Sequence, residues 1–216
     1  MTTMAPVRRD LSSNNAFVMD AANELGDLIA MKILMESVEG FIKFEEGYYL
    51  YSLAKRSRLP VVEIGSWKGK STIFLALGSK SGHRSSVNAI DPHTGSPEFY
   101  VVFGREKEIW SYDDFLRNIS NFRVDDVVRP ILATSVKAAK EWSGRIGLLW
   151  IDGSHYYSQV KKDLDSWEPF VEIGGVIALH DSHWDGPKRL IHERFHPPKY
   201  GPINFVNSIA AVTKLQ

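Results

Sequence analysis

Two aspartates each close an apolar run: Leu148-Leu149-Trp150-Ile151-Asp152 and Val176-Ile177-Ala178-Leu179-His180-Asp181. If the two runs are neighbouring strands, their carboxylates stand about 4.8 Å apart at one edge of a sheet. Carboxylates that close repel each other unless a cation or a proton lies between them. A hard divalent ion such as Mg2+ meets that need, because it prefers oxygen donors and often takes only one or two carboxylates. Further donors stand nearby. His155 lies three residues after Asp152, Ser182 follows Asp181, and His180 and His183 lie on either side of that pair. The competing reading of the two aspartates is helix capping and loop hydrogen bonding. His83, His93, His192 and His196 have no such company and read as ordinary surface or loop residues.

A second constellation lies earlier, in Glu63-Ile64-Gly65-Ser66-Trp67-Lys68-Gly69-Lys70-Ser71. A β-branched run enters it and a helical pattern leaves it, so it reads as a tight strand-to-helix bend. Glycine lets the backbone approach a ligand closely, and the helix N-terminus offers free N–H groups to an anionic group. The dinucleotide fingerprint G-x-G-x-x-G is not met: Ser66 and Lys68 break it, and Gly69 comes one residue late. Only three residues separate Gly65 from Gly69, so the Walker phosphate loop fails as well. Glu63 is a poor neighbour for a pyrophosphate. It suits a cofactor that carries an ammonium and a sulfonium, as S-adenosylmethionine (SAM) does. Asp91 ends the next apolar run, 22 residues after Gly69, where an acid can accept both hydroxyls of a ribose. The competing reading is that Glu63, Gly65 and Gly69 only shape a turn and that Asp91 only opens one before Pro92.

These residues need a frame, and the hydrophobic pattern supplies it. Strands are predicted at 61–64, 87–90, 127–132, 147–151 and 175–179, with weaker ones at 203–206 and 209–213. Helices alternate with them at 71–77, 113–122, 135–142, 157–167 and 187–195. Strand–helix alternation implies parallel pairing with right-handed crossovers. Apolar rather than alternating strands imply a sheet covered on both faces. The expected fold is therefore α/β, a Rossmann-like, doubly wound, mostly parallel seven-stranded sheet. Two helical stretches precede it, at about 16–38 and 45–58. The expected organisation is a flexible arm over 1–14 and a single domain over 15–216. Within that domain, 15–58 is a helical extension and 59–216 the Rossmann-like core. The aromatic stretch Phe99, Tyr100, Phe103, Trp110, Tyr112 has no clear period and reads either as a lid over the site or as packing surface.

Composition narrows the partners. Lys plus Arg equals Asp plus Glu at 26 each, which argues against a nucleic acid as the main partner. There is no cysteine, so disulfides and thiolate metal sites are excluded. No apolar run approaches the roughly 20 residues that cross a bilayer, and no secretory signal follows the N-terminal arginines. A cytoplasmic protein without a membrane partner is the expectation. The N-terminal helices carry more apolar surface than one small sheet needs, which leaves room for a homodimer.

The segments at 61–72, 89–93, 148–157 and 174–182 together resemble class I SAM-dependent methyltransferases. More narrowly, they resemble the cephalosporin hydroxylase-like group and small-molecule O-methyltransferases of antibiotic sugars, with a more distant likeness to catechol-type O-methyltransferases. The likeness spans roughly residues 45 to 182. It implies that Glu63, Gly65, Ser66 and Trp67 lie along the methionine part of SAM and that Ser71 binds its carboxylate. It further implies that Asp91 holds the ribose, that Ser135 lies near the adenine, and that Asp152 borders the cofactor. Asp152 and Asp181 match two metal ligands. Ser182 stands where catechol-type enzymes carry an asparagine ligand and the sugar enzymes an aspartate, and a neutral hydroxyl is a poorer ligand than a carboxylate. His155 stands where catechol-type enzymes place a catalytic lysine.

The activity implied is transfer of a methyl group to a hydroxyl of a small natural-product or sugar-like acceptor. Mg2+ on Asp152 and Asp181 would lower the acceptor's pKa, and His155, or else His180, would take its proton. The alternatives are a metal-independent or nitrogen-directed SAM methyltransferase and, from other classes, a nicotinamide-dependent oxidoreductase or a SAM-binding partner protein without catalysis.

Overall fold

A computed structural model of the chain describes residues 11–96, Tyr100 and 109–216, with side chains from Glu24 onward. Two helices lead, α1 (Leu11–Ser37) and α2 (Phe44–Arg56), followed by β1 (Val61–Ile64), α3 (Lys70–Ser81) and β2 (Val87–Ile90). Then come α4 (Tyr112–Asn121), β3 (Val128–Ile131), α5 (Ser135–Glu141) and β4 (Ile146–Ile151). The chain continues through α6 (Tyr157–Trp167), a 3-10 turn (Glu168–Phe170), β5 (Val171–Leu179), α7 (Asp185–Arg194), β6 (Asn204–Val206) and β7 (Ile209–Thr213). The seven strands form one sheet in the order β3-β2-β1-β4-β5-β7-β6. Pairing is parallel from β3 through β5, and β7 runs antiparallel to β5 and β6.

Every residue of β1 and β2 is buried, as expected for a sheet covered on both faces. The pleat sends alternate side chains to opposite layers. Val61, Leu148 and Trp150 join Leu50, Phe74 and Phe115 in one layer, while Val62, Ile64, Leu149 and Ile151 join Leu164, Trp167 and Leu190 in the other. On α6, Val160, Leu164 and Trp167 recur at helical spacing and are buried. Helix α3 is buried from Lys70 through Ser79, since α2 covers the side away from the sheet.

Two of the boundaries that differ from the sequence reading have a bearing on the layout. Helix α1 begins at Leu11, so residues 11–14, expected in the arm, are helical; residues 1–10 lie outside the described part. Strand β5 begins at Val171 rather than Gly175, because a register shift lets Val171 pair with Ile146 before Val176 pairs with Leu148. Leu25, Leu28, Ile29 and Ile33 leave one face of α1 exposed. Among the described residues, no helix is long and apolar enough to cross a membrane.

The α2–α3 contact depends on close backbone approach. A Cβ on Gly47 would press into the ring of Phe74, and one on Gly78 would overlap the carbonyl oxygen of Tyr51. Overpacking of this kind costs about 1–3 kcal/mol. Gly78→Ala should therefore lower the urea midpoint by a corresponding amount. An unchanged midpoint would show that the two helices can separate freely.

Candidate active site

The bend after β1 is built around a buried carboxylate. Glu63 is fully buried and accepts hydrogen bonds from Ser71 Oγ at 2.5 Å and from Thr72 Oγ1, both on the first turn of α3. Burial pushes its carboxyl up to about 8, against the lowering effect of the two hydroxyls. Gly65 takes φ +87°, and a Cβ there would overlap the carbonyl oxygen of Asp152. The bend and the end of β4 are thus held in backbone contact. Trp67 also sits in the left-handed region, at φ +41°, and its N–H donates to Asp91 Oδ2 at 2.8 Å. The other oxygen of Asp91 accepts from His93 N–H at 2.6 Å. A carboxylate has about four lone-pair sites, so Asp91 keeps acceptor capacity on both oxygens. Ser66 is 2% exposed, and its hydroxyl has no hydrogen-bond partner among the described residues.

The neighbouring edge carries the two aspartates. Strands β4 and β5 pair directly, with Ile151 opposite Leu179, so Asp152 and Asp181 emerge side by side. His155 Nε2 lies 2.8 Å from Asp181 Oδ2, and its ring lies 4.7 Å from that of Trp184. One donor atom each from Asp152, His155 and Asp181 fall within 4.8 Å of one another. Behind them lies His180, 5% exposed. Its Nδ1 is 3.0 Å from Asp152 Oδ1 and 3.3 Å from Asp181 Oδ2, and its Nε2 is 3.6 Å from Glu46 Oε2. None of the three contacts is aligned as a full hydrogen bond, so the attraction is mainly Coulombic. Burial works against a charge on His180, but Asp152, Asp181 and Glu46 outweigh it and push its pKa up to about 12. Burial likewise disfavours the charge on Asp181, yet its contacts with His155 and His180 hold it well below the usual carboxylate range.

The segment joining α1 to α2 runs across this edge. Glu39 pairs with Lys68 at 2.6 Å, and Phe41 stacks on Trp67 at 5.2 Å with the rings 8° from parallel. Gly40 lies against the stem of Lys70, where a Cβ would come within 2.7 Å of Cδ. Glu46 follows on α2, 1% exposed. It accepts from Lys43 N–H at 2.8 Å and from the N–H and hydroxyl of Ser208 at 2.9 and 2.6 Å. Burial would raise its carboxyl, but His180, Lys43 and Ser208 bring it down to about 2.

The structure brings Asp152, His155, His180 and Asp181 together as the sequence suggested, and sets Gly65 against them. It places other candidates one layer back. Glu63 and Ser71 are bonded to each other beneath the bend, so in this arrangement they support it rather than line it. The reason is the pleat, which turns Glu63 toward α3. Ser135 receives Trp167 Nε1–H at 3.0 Å and is also bonded to Asp163. Burial pushes Asp163 up to about 6, while that bond acts the other way. Asp181 takes φ +48°, and the chain turns so that Ser182 N–H donates to the Ser208 carbonyl at 2.9 Å. Ser182 lines a separate cleft with His183, Lys188, Ile191, His192 and Phe205. Among the described histidine and acidic side chains, His155 groups with the two aspartates.

His93, read as an ordinary loop residue, is 2% exposed and lies 2.9 Å from Ser111 Oγ, beneath Tyr112 and Phe115. Of the aromatic stretch, Phe99 and Phe103 lie outside the described residues, whereas Trp110 is exposed and Tyr112 packs on Phe115. Sequence reasoning missed Glu46. Its signal was an acid on the apolar face of α2, in register with Leu50 and Leu53.

A family model described as a methyltransferase domain matches residues 62–182. The chain belongs to that family, and its sheet order, bend and edge acids are those of a class I SAM-dependent methyltransferase. An uncharacterized protein of Acanthamoeba polyphaga mimivirus, R132, is 25% identical over 173 residues, covering 76% of this chain and 71% of its own. Among solved structures, the O-methyltransferase NovP matches with a TM-score of 0.67 at 17% identity over 81% of each chain. A methyltransferase of Podospora anserina, PaMTH1, solved with S-adenosylhomocysteine (SAH) bound, matches with a TM-score of 0.62 at 12% identity over 100% of both chains. The nicotinamide alternative is set aside by the family match.

The raised Glu63 carboxyl gives a pH signature. Between its ordinary value of 4.5 and its folded value of about 8, the folded state holds a proton that the unfolded chain has released. Stability of the ligand-free protein should therefore fall as pH rises through that window. Glu63→Gln should flatten this dependence in urea melts between pH 5 and 8. Parallel profiles for the two proteins would mean that Glu63 is charged throughout.

Proposed function

We propose that this methyltransferase acts on a hydroxyl of a small natural-product or sugar-like molecule, with a divalent ion such as Mg2+ held by Asp152 and Asp181. The observation that carries this reading is the convergence of Asp152, His155 and Asp181 within 4.8 Å beside the Gly65 bend. Open α/β sheets bind ligands at this carboxyl edge. The orphaned hydroxyl of Ser66 fits an absent ligand, since a buried unpaired polar group costs about 1–3 kcal/mol. Asp91 retains the acceptor capacity that two ribose hydroxyls need. Two neighbouring carboxylates form a donor pair suited to a hard divalent cation, and His155 beside them is left to act as the base.

When bound, the ion would lower the acceptor hydroxyl's pKa and fix its direction. The remaining work falls to the chain. Asp181 orients His155 through Nε2, as an acid orients the base of a catalytic dyad. His155 is then the residue placed to take the acceptor's proton. Trp184, against the His155 ring, limits its rotation. Methyl transfer itself then depends on alignment, to which oriented groups contribute most. The zero net charge supports a small-molecule acceptor over a nucleic acid.

A second reading keeps the activity and drops the metal. His180 already stands between the two carboxylates and offsets their repulsion, which leaves the His155–Asp181 dyad to take the proton unaided. Chelation separates the two. On the first reading, EDTA should abolish transfer from labelled SAM to a hydroxylated acceptor panel and Mg2+ should restore it; activity that survives EDTA selects the second. Asp152→Asn or Asp181→Asn should abolish turnover with SAM affinity within a few-fold of wild type. His155→Ala should lower kcat by roughly 10²–10⁴, and an unchanged kcat would move the base elsewhere.

A further inference from the structure

We infer that Glu46, on the helical extension, is a positioning residue that holds His180 in place between itself and the Asp152–Asp181 pair. The inference rests on reading that pair as the reacting site. Glu46 is itself fixed from two sides: Lys43 N–H reaches Oε2 at 2.8 Å, and Ser208 reaches Oε1 through both its N–H and its hydroxyl. It is 1% exposed, so no solvent competes for it. His180 lies between Glu46 Oε2 at 3.6 Å and the two aspartates at 3.0 and 3.3 Å. The ring is therefore drawn toward acids on opposite sides. Drawn from one side only, the ring could turn Nδ1, already 3.0 Å from Asp152 Oδ1 but not aligned with it, into a full hydrogen bond that takes an oxygen lone pair a cation would use. Glu46 holds the ring out of that alignment, and so the extension becomes part of the active site rather than a cover over α3.

A capping role does not account for this placement. Glutamine serves as well as glutamate at the third position of a capping box, and the cap uses neither the negative charge nor the contact with His180. Two variants separate the roles. Glu46→Gln removes the charge facing His180 and turns one accepting oxygen into an amide donor, so that a bond from Lys43 or Ser208 is lost with it. Ser208→Ala removes a bond to Glu46 and leaves that charge in place.

The experiment is a titration of each protein with Mn2+ alone, followed by paramagnetic resonance, and a parallel calorimetric titration with SAH. Glu46→Gln should bind Mn2+ at least tenfold more weakly than wild type, Ser208→Ala within twofold of it, and both should bind SAH within threefold. Equal Mn2+ affinity in Glu46→Gln and wild type overturns the inference, as does an equal loss in Ser208→Ala, which would make Glu46 a structural cap alone. Should wild type itself fail to bind Mn2+, the metal reading falls, and the role of Glu46 is then read from metal-free crystal structures. A His180 ring moved toward the aspartates in Glu46→Gln supports it, and an unmoved ring overturns it.

Discussion

Like charges gathered at a sheet edge repel, and the arrangement of this site follows from how that repulsion is met. Asp152, Asp181 and Glu46 converge on one imidazole, that of His180, which is almost fully buried. In a medium less polarisable than water, each of these contacts carries more weight than it would at the surface. Removal of any one acid changes the balance felt by the others. The β4–β5 pairing, the left-handed turn at Asp181 and the Glu46 cap all serve to hold these charges at their present separations.

The bend after β1 shows a second balance. Glu63 costs desolvation where it lies, and the hydroxyls of Ser71 and Thr72 offset part of that cost. In return it ties the first turn of α3 to the strand, so that the Trp67 and Gly69 backbone is held at the edge. Three non-glycine residues in the left-handed region, Trp67, His93 and Asp181, lie at the ends of β1, β2 and β5. Strained backbone of this kind persists where surrounding structure over-determines it, and it collects at functional sites. Here it lies where a nucleoside and an acceptor would meet the sheet.

The helical extension connects the two regions. Its linker stacks Phe41 on Trp67 and pairs Glu39 with Lys68 over the cofactor bend, and a few residues later Glu46 reaches the carboxylate edge. A single short segment thus touches both halves of the proposed reaction. The family match covers residues 62–182, so this extension lies outside the shared part.

Local pattern determined much by itself. The apolar runs at 61–64, 87–90 and 209–213 are strands with those limits. Alternation of strands and helices implied a mostly parallel sheet, and acids at strand ends marked its carboxyl edge. These features are legible because burial and period act over neighbouring residues. Tertiary structure alone decided which side chains face the crevice. The pleat turned Glu63 inward to Ser71, the positive φ at Asp181 sent Ser182 to another cleft, and His93 went under an aromatic lid of Tyr112 and Phe115. It alone, too, brought Glu46 to Ser208, 162 positions away in the chain. Contacts over such distances depend on how whole layers pack, and no local spacing in the sequence records them.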